Sequence, residues 1–393
     1  MFEYEKKKKS ELNPNGVLIG RKQTAGSFLK INMTSLEIAR QRLYNQRLSF
    51  PGFKKPGDVV KWMGAVQAQD YYGAKWALGQ RTRDATDEDI EKAFASGEIL
   101  RTHVMRPTWH FVTPTDIRWL LKLTASGVNA ANSYYYRKLE LDDAVFRRCN
   151  KAITRALRGG KHLTREALRT VIKRAGIASD DLLRFNYMLV RSELDGLICS
   201  GPRNGKQFTY ALLDERAPQT KALSRDEALA ELTRRYFTSH GPATSSDFMW
   251  WSGLSATDVK RGLEMARRHL VKEMIEGKTY WLPSSPRVTR ASRVAYLLPS
   301  FDEYLIAYKD RSAALHPKYR EQSLTDNVVF SSTIVWNGRI VGSWNRKIER
   351  ASVNVTVSPF VSFSKTETRA IADVVRRYGE FLNMSECCSI SVV

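Results

Sequence analysis

Apolar positions between residues 33 and 285 fall into short blocks at helical spacing, and each group of blocks ends in two short runs that read as a hairpin. The middle group is the clearest. A helix over Asp143–Arg158 is stopped by Gly159-Gly160, because glycine ends a helix in the left-handed conformation at little cost. Thr164 has the side chain of an N-cap, Arg165–Ala175 follows as a helix, and Gly176 ends it. Asp180–Leu194 then sets Leu182, Phe185 and Leu189 at helical spacing. Leu197–Ser200 and Phe208–Leu212 make a hairpin across the basic turn Gly201–Lys206.

The same order occurs twice more. In the third group Ser224 caps a helix to Ser239, Gly241–Thr244 breaks it, and Ser245–Trp251 and Thr257–His269 are helical. Leu270–Met274 and Thr279–Leu282 then pair around Glu276-Gly277-Lys278. Met249, Trp250 and Trp251 follow helical spacing and read as core. The first group has helices from Ser35, over Pro56–Val66 and over Thr86–Ser96, with a hairpin within Ile99–Val112; Lys75–Arg81 is also helical in pattern. Helix-turn-helix followed by a β-hairpin is the winged-helix arrangement, whose second helix suits a DNA groove and whose wing suits the backbone or minor groove.

Beyond about Arg290 the pattern turns β-branched and aromatic, over Val294–Leu298, Val328–Trp336, Arg339–Trp344 and Val353–Ser358, with Asn337-Gly338 as a two-residue turn. Thr366–Asn383 reads as a closing helix with Ala370, Ile371, Val374, Val375 and Phe381 apolar. The predicted fold is therefore mainly α with β wings: three tandem winged-helix modules plus a C-terminal antiparallel β-sheet or small barrel. The modules span 33–140, 141–216 and 217–285, the β domain 286–393. Residues 1–32, without usable periodicity, read as a disordered or extended N-terminal extension.

Composition adds a partner. The 393 residues carry 63 Lys and Arg against 41 Asp and Glu, a net charge of +22. Such a surface repels itself unless an anion is near, and nucleic acid is the commonest. At 42% hydrophobic residues the chain can bury a core, which excludes disorder throughout. No apolar run approaches the roughly 18 residues of a membrane span. Cys149, Cys199, Cys387 and Cys388 form no CxxC pair. They predict reduced thiols and a cytoplasmic, nucleoid-associated protein.

Several chemistries fail on spacing. Gly201-x-x-x-Gly205-Lys206-Gln207 is one residue short of a phosphate-binding loop and has Gln where the metal needs a hydroxyl. No GxGxxG, GxSxG or HExxH occurs, and the six histidines show no paired metal spacing. The expectation is no metal and no nucleotide cofactor. One segment stands out, Gly64-Ala65-Val66-Gln67-Ala68-Gln69-Asp70. Gln67 and Gln69 face one side only if the backbone there is extended; otherwise they are a polar helix terminus. Asp70 reads as the N-cap of the helix after it.

Taken with three further stretches, this segment resembles the AlkZ/YcaQ superfamily of tandem winged-helix DNA glycosylases. The stretches are Leu100–Val112, similar to the family's Arg-Gly-Thr-x-His hairpin, Leu297–Tyr304, and Asn337–Trp344. The resemblance covers roughly Ser35 to Ser358. The second glutamine is that of the AlkZ branch; Pro107 replaces the family's usual glycine, and Ala68 is small for its apolar slot. The resemblance implies that Gln67 and Gln69 are catalytic and that the substrate is double-stranded DNA with an alkylated purine. Oxocarbenium-like glycosidic cleavage normally needs a carboxylic acid for the leaving group. An N7-alkylated guanine is already cationic, so two amides that hold a water and present dipoles suffice. Neither glutamine is a strong base.

On the first hairpin, Arg106, Thr108, Trp109 and His110 read either as phosphate contacts with an aromatic wedge or as a packed hairpin with a satisfied histidine. Arg203 and Lys206 at the second hairpin's turn read as phosphate contacts, Lys272 and Lys278 as weaker ones. Asp302, Glu303 and Tyr304 read equally as site residues or as a sheet edge. The resulting expectation is a monomeric, monofunctional DNA glycosylase for N7-alkylated guanine, bulky and crosslinked adducts included, with no lysine Schiff base. The rival is a winged-helix transcriptional regulator that binds DNA by sequence without releasing a base.

Overall fold

The chain runs through one order of elements three times: helix, strand, two helices, two strands. The computed structural model describes residues 33–220, 222–284, 293–319, 331–350, 352–384 and 388–392. The expected N-terminal extension, Cys387 and the part of Val328–Trp336 before Ser331 lie outside them. After α1 (Ser35–Asn45), the first repeat is α2 (Pro56–Met63), β1 (Val66–Gln67), α3 (Tyr71–Arg81), α4 (Asp87–Ser96), β2 (Leu100–Val104) and β3 (Arg106–Val112). After α5 (Ile117–Lys138), the second is α6 (Asp143–Leu157), β4 (Leu163–Thr164), α7 (Arg165–Arg174), α8 (Leu182–Leu194), β5 (Ile198–Ser200) and β6 (Thr209–Leu212). A single turn, α9 (Leu213–Arg216), leads to the third: α10 (Arg225–His240), a bridge at Ala243, α11 (Ser245–Ser252), α12 (Ala256–Ala266), β7 (Leu270–Ile275) and β8 (Lys278–Pro283). In each repeat the short strand or bridge between the first two helices pairs antiparallel with the last strand: Gln67 with His110, Thr164 with Thr209, Ala243 with Trp281.

The C-terminal part holds β9 (Ala295–Leu298), α13 (Glu303–Ile306), β10 (Thr333–Trp336), β11 (Arg339–Ile348), β12 (Val353–Pro359), α14 (Lys365–Phe381) and β13 (Cys388–Val392). They form one five-stranded sheet in the order β13-β12-β11-β10-β9. The expected all-antiparallel sheet is corrected at one edge, where β13 lies parallel to β12. The physical reason is α14, a helical crossover that returns the chain to the same end of the sheet before the next strand begins.

Three further differences have local causes. The helix expected to Val66 stops at Met63 because Gly64 takes φ +84, and the chain leaves it extended. Trp251 is fully buried, but Trp250 is 43% exposed and donates to the Ile306 carbonyl. Neighbours on a helix point about 100° apart, and of these two only Trp251 turns into the core. The longest helix, α5, carried no clear sequence signal. Its buried stripe runs Leu120, Thr124, Val128, Asn132, Tyr136, spaced four apart, and two of the five are polar.

Two contacts seat the first repeat on the C-terminal sheet. Val66, Ala68, Tyr71 and Trp76 share a core cluster with Leu297, Trp344, Tyr378 and Phe381. The Trp76 indole donates to the Leu297 carbonyl at 2.7 Å. Arg81, at the end of α3, grips Asp302 with two bonds of 2.9 and 2.8 Å, and the two side chains are 1% and 0% exposed. Removing one member leaves an unpaired buried charge. Asp302→Ala is therefore expected to lower unfolding free energy by about 3–5 kcal/mol, read as a lower urea midpoint; an unchanged midpoint would contradict this account of the joint.

Candidate active site

The site begins where the first repeat departs from the other two. In the second repeat the strand residue Thr164 is itself the N-cap of the next helix, and in the third Thr244 follows Ala243 directly. In the first, Ala68 and Gln69 separate β1 from the cap Asp70, whose carboxylate accepts the Gly73 N–H at 3.1 Å. The expected capping role of Asp70 is thus realised. Gln69 lies in a bend, with its side-chain oxygen returning to β3, while Ala68 still bonds to β3 through its N–H and is fully buried. A small residue seats the segment there.

Four hydrogen bonds hold this backbone and the first amide. The Gln67 N–H donates to Glu303 Oε1 at 2.7 Å, and the Ala68 N–H to the Trp109 carbonyl at 2.7 Å. The Ala68 carbonyl accepts from Arg101 Nε at 3.0 Å. Gln67 Oε1 accepts from Arg106 Nη2 at 2.9 Å. Gln69 Oε1 accepts, at 3.3 Å, from the Trp109 backbone N–H. Both donors lack any acceptor capacity, so the amides are oriented by chemistry: each oxygen turns to β3 and each NH2 away from it. Gln67 is 5% exposed, and Gln69 is exposed.

Strand pleating sorts the hairpin residues onto two faces. Arg106, Thr108 and His110 share the face of Gln67, with Thr102 opposite His110. Trp109 lies on the other face with His103 and Arg101. Its ring is 4.0 Å from the His103 ring and has the Arg101 guanidinium 4.2 Å above it. His103 in turn pairs through Nδ1 with the buried Glu193. The structure therefore brings Gln67, Arg106 and His110 together, ties Gln69 to the Trp109 backbone, and turns the Trp109 ring to the other face. The hairpin turn is not a protruding wing. Met105, at φ +64, is 3% exposed, its N–H meets Thr124 Oγ1, and Gly253 closes over its carbonyl.

Burial governs the charges. His110 is fully enclosed; burial first, then the Arg106 charge, press its pKa down to about 3, so it is neutral. Its Nδ1 sits 2.9 Å from the Thr108 carbonyl and must carry the proton, which leaves Nε2 as an unpartnered acceptor. Of the two readings open for this histidine, the packed one describes its position, although only one nitrogen is satisfied. Arg101 is lowered to about 10 chiefly by burial, and Arg106 is lowered for the same reason, with Glu303 and Tyr236 opposing. Burial also pushes up the Glu303 carboxyl, but His240, the Gln67 N–H and Arg106 together outweigh it and hold it below the usual carboxylate range.

The second hairpin bears differently on the site. Lys206 is exposed at its tip. Arg203 is turned inward, 3.1 Å from Glu91 and over the Tyr71, Tyr72 and Phe208 rings, so its charge is already offset. Sequence reasoning left Glu303 open between a site residue and a sheet edge; the signal for the former was the run Leu297–Tyr304. Among the described residues no three His, Cys, Asp or Glu side chains converge as a metal would require, and no helix is long and apolar enough to cross a membrane.

Comparison with known proteins gives consistent results. The model of the AlkZ-like DNA glycosylase family matches residues 60–381. An interstrand DNA cross-link repair glycosylase of Streptomyces sahachiroi is 25% identical over 332 residues, covering 80% of this chain and 87% of the relative. The solved structure of the Streptomyces sahachiroi DNA glycosylase AlkZ superposes with a TM-score of 0.77 at 21% identity, covering 92% of this chain and all of that one.

The depressed His110 pKa gives a prediction with a definite sign. The unfolded chain takes up this proton near pH 6.5 and the native state only near 3, so His110 costs no stability above 6.5 and progressively destabilises the fold as pH falls from there toward 3. The His110 imidazole resonances are expected to show no titration between pH 5 and 8; a midpoint near 6.5 would contradict the enclosure described.

Proposed function

This chain is a member of the AlkZ-like DNA glycosylase family, and from that premise we propose that it hydrolyses the N-glycosidic bond of N7-alkylated guanine in double-stranded DNA. Bulky and interstrand-crosslinked adducts are included, and the product is an abasic site. The observation that supports this reading is that the amide oxygens of Gln67 and Gln69 are each held by a donor from β3, which turns each NH2 away from that strand. The crosslink in the Streptomyces relative's name supports including such adducts.

The chemistry follows from charge. In the reaction the C1′–N9 bond breaks and its electron pair neutralises the cationic alkylguanine, so no acid is required. A water oxygen forms the new bond to C1′ and loses a proton to solvent. The sugar passes through an oxocarbenium-like state. The outward NH2 of one glutamine can donate to the water oxygen and leave that oxygen's other lone pair to attack C1′, while the amide dipoles add to the preorganised field around the sugar. Arg106 serves here by orienting Gln67. Thr108 and the neutral His110 line the same face without adding charge, and Trp109 supports the segment from behind through its backbone. Lys206 is the phosphate contact favoured by exposure, with Arg203 bracing that hairpin. The three repeats are read as winged-helix modules over 33–140, 141–216 and 217–285, followed by the β domain over 286–393.

The test uses DNA carrying N7-methylguanine and counts alkali-labile abasic sites. The parent is expected to form them, and Gln67→Ala and Gln69→Ala each to lose about 100-fold or more in rate, the scale of losing one preorganised dipole. If neither this lesion nor a bulky N7 adduct is released, while binding discriminates between DNA sequences, the protein is a regulator instead. Lys206→Ala is expected to weaken binding evenly across sequences and to reduce the log–log salt slope by about one; a sequence-dependent loss would contradict a phosphate role.

A further inference from the structure

A carboxylate lies directly behind the first glutamine, and no step of the proposed reaction uses it. Glu303 is 1% exposed. Its Oε1 accepts the Gln67 backbone N–H at 2.7 Å, and its Oε2 accepts the Trp251 indole N–H at 2.9 Å. His240 Nε2 stands 3.5 Å from Oε2 but makes no hydrogen bond. The group is placed from both ends of the glutamine segment. Asp302 caps α13, on which Glu303 is the first residue, and its two oxygens are held by Arg81 of α3, the helix that opens just after Gln69.

A buried carboxylate is costly, and the hydrogen bonds this one accepts both come from uncharged N–H groups, with the His240 imidazole 3.5 Å away. A neutral side chain of the same shape would serve simple packing better, apart from one constraint. A glutamine has a single acceptor oxygen, and its NH2 would face either the Gln67 or the Trp251 donor. Only an ionised carboxylate satisfies both. The anion thus bears on Gln67 directly, through its backbone N–H, while Arg106 holds the Gln67 amide oxygen from the other side.

We propose that Glu303 is a positioning residue of the glycosylase reaction, a buried anion that fixes the Gln67 backbone and so the place from which the Gln67 amide acts. The inference rests on the reading in which Gln67 acts on the glycosidic bond. Glu303 does not touch the substrate, so its loss is to be seen in the chemical step and not in binding.

The experiment compares the parent protein with Glu303→Gln under single-turnover conditions on N7-methylguanine DNA, alongside DNA affinity, thermal stability and hydrogen exchange of the free protein. E303Q is expected to lose at least thirtyfold in the rate of base release, with affinity within threefold. The Gln67 amide is expected to exchange at least tenfold faster while the β2 and β3 ladder is unchanged. Parental rates and parental exchange in folded E303Q overturn the proposal, as does a loss confined to affinity. Should E303Q not fold, Glu303→Asp keeps the buried charge but withdraws it by one methylene. It is expected to move rate and exchange in the same direction, and a folded E303D with parental values overturns the proposal equally. A parent that releases no base defeats the functional reading; unchanged Gln67 exchange in either variant defeats the positioning contact by itself.

Discussion

Two charges with almost no access to water, Arg81 and Asp302, join parts of the chain 221 residues apart. The pair is bidentate and enclosed, and Arg81 also reaches the Gln46 backbone and side chain at 3.0 Å each. Such an arrangement tolerates little displacement, because any opening leaves a charge without solvent or partner. It sets the start of α13 against the end of α3. The neighbour of Asp302 then falls beneath Gln67, and the glutamine segment lies between a carboxylate behind and a β-strand beside it. The candidate site follows from that joint.

One topology serves three purposes. The second repeat keeps a hairpin with an exposed tip, and the third keeps a two-stranded hairpin with Glu276-Gly277 exposed. The first has traded an exposed tip for a buried turn at Met105 and has gained Ala68 and Gln69 between strand and cap. Both changes act on the same strand. Burying the turn steadies β3, and three groups of that strand, the Trp109 carbonyl, the Trp109 N–H and the Arg106 side chain, hold Ala68, Gln69 and Gln67. A loop of two residues without such a partner would lose its orientation to conformational entropy.

Electrostatics separates the site from the surface. The chain has a net charge of +22, suited to a phosphate backbone, yet the cations nearest the glutamines are occupied. Arg106 holds Gln67, Arg101 holds Ala68, Arg203 holds Glu91. Long-range attraction therefore comes from exposed cations such as Lys206, while the interior spends its guanidinium groups on orientation. With His110 kept neutral, no charge beyond that of the Arg106 guanidinium is added to the face of Gln67, where the reaction itself develops positive charge.

The sequence by itself determined the helices with strong stops and caps, the three hairpins and the capping role of Asp70, because those signals act within a few residues. It also indicated the composition of the C-terminal sheet, though not the parallel β13, whose direction depends on how α14 packs. It did not disclose α5, whose buried stripe includes Thr124 and Asn132, nor divide Trp250 from Trp251. Only the tertiary structure decided that Glu303, 236 residues from Gln67, carries the glutamine segment, that Arg203 is paired, and that Trp109 turns away from its neighbours. Each of these depends on which distant groups are brought together when water is excluded. A hydrogen bond between such groups has no periodicity along the chain.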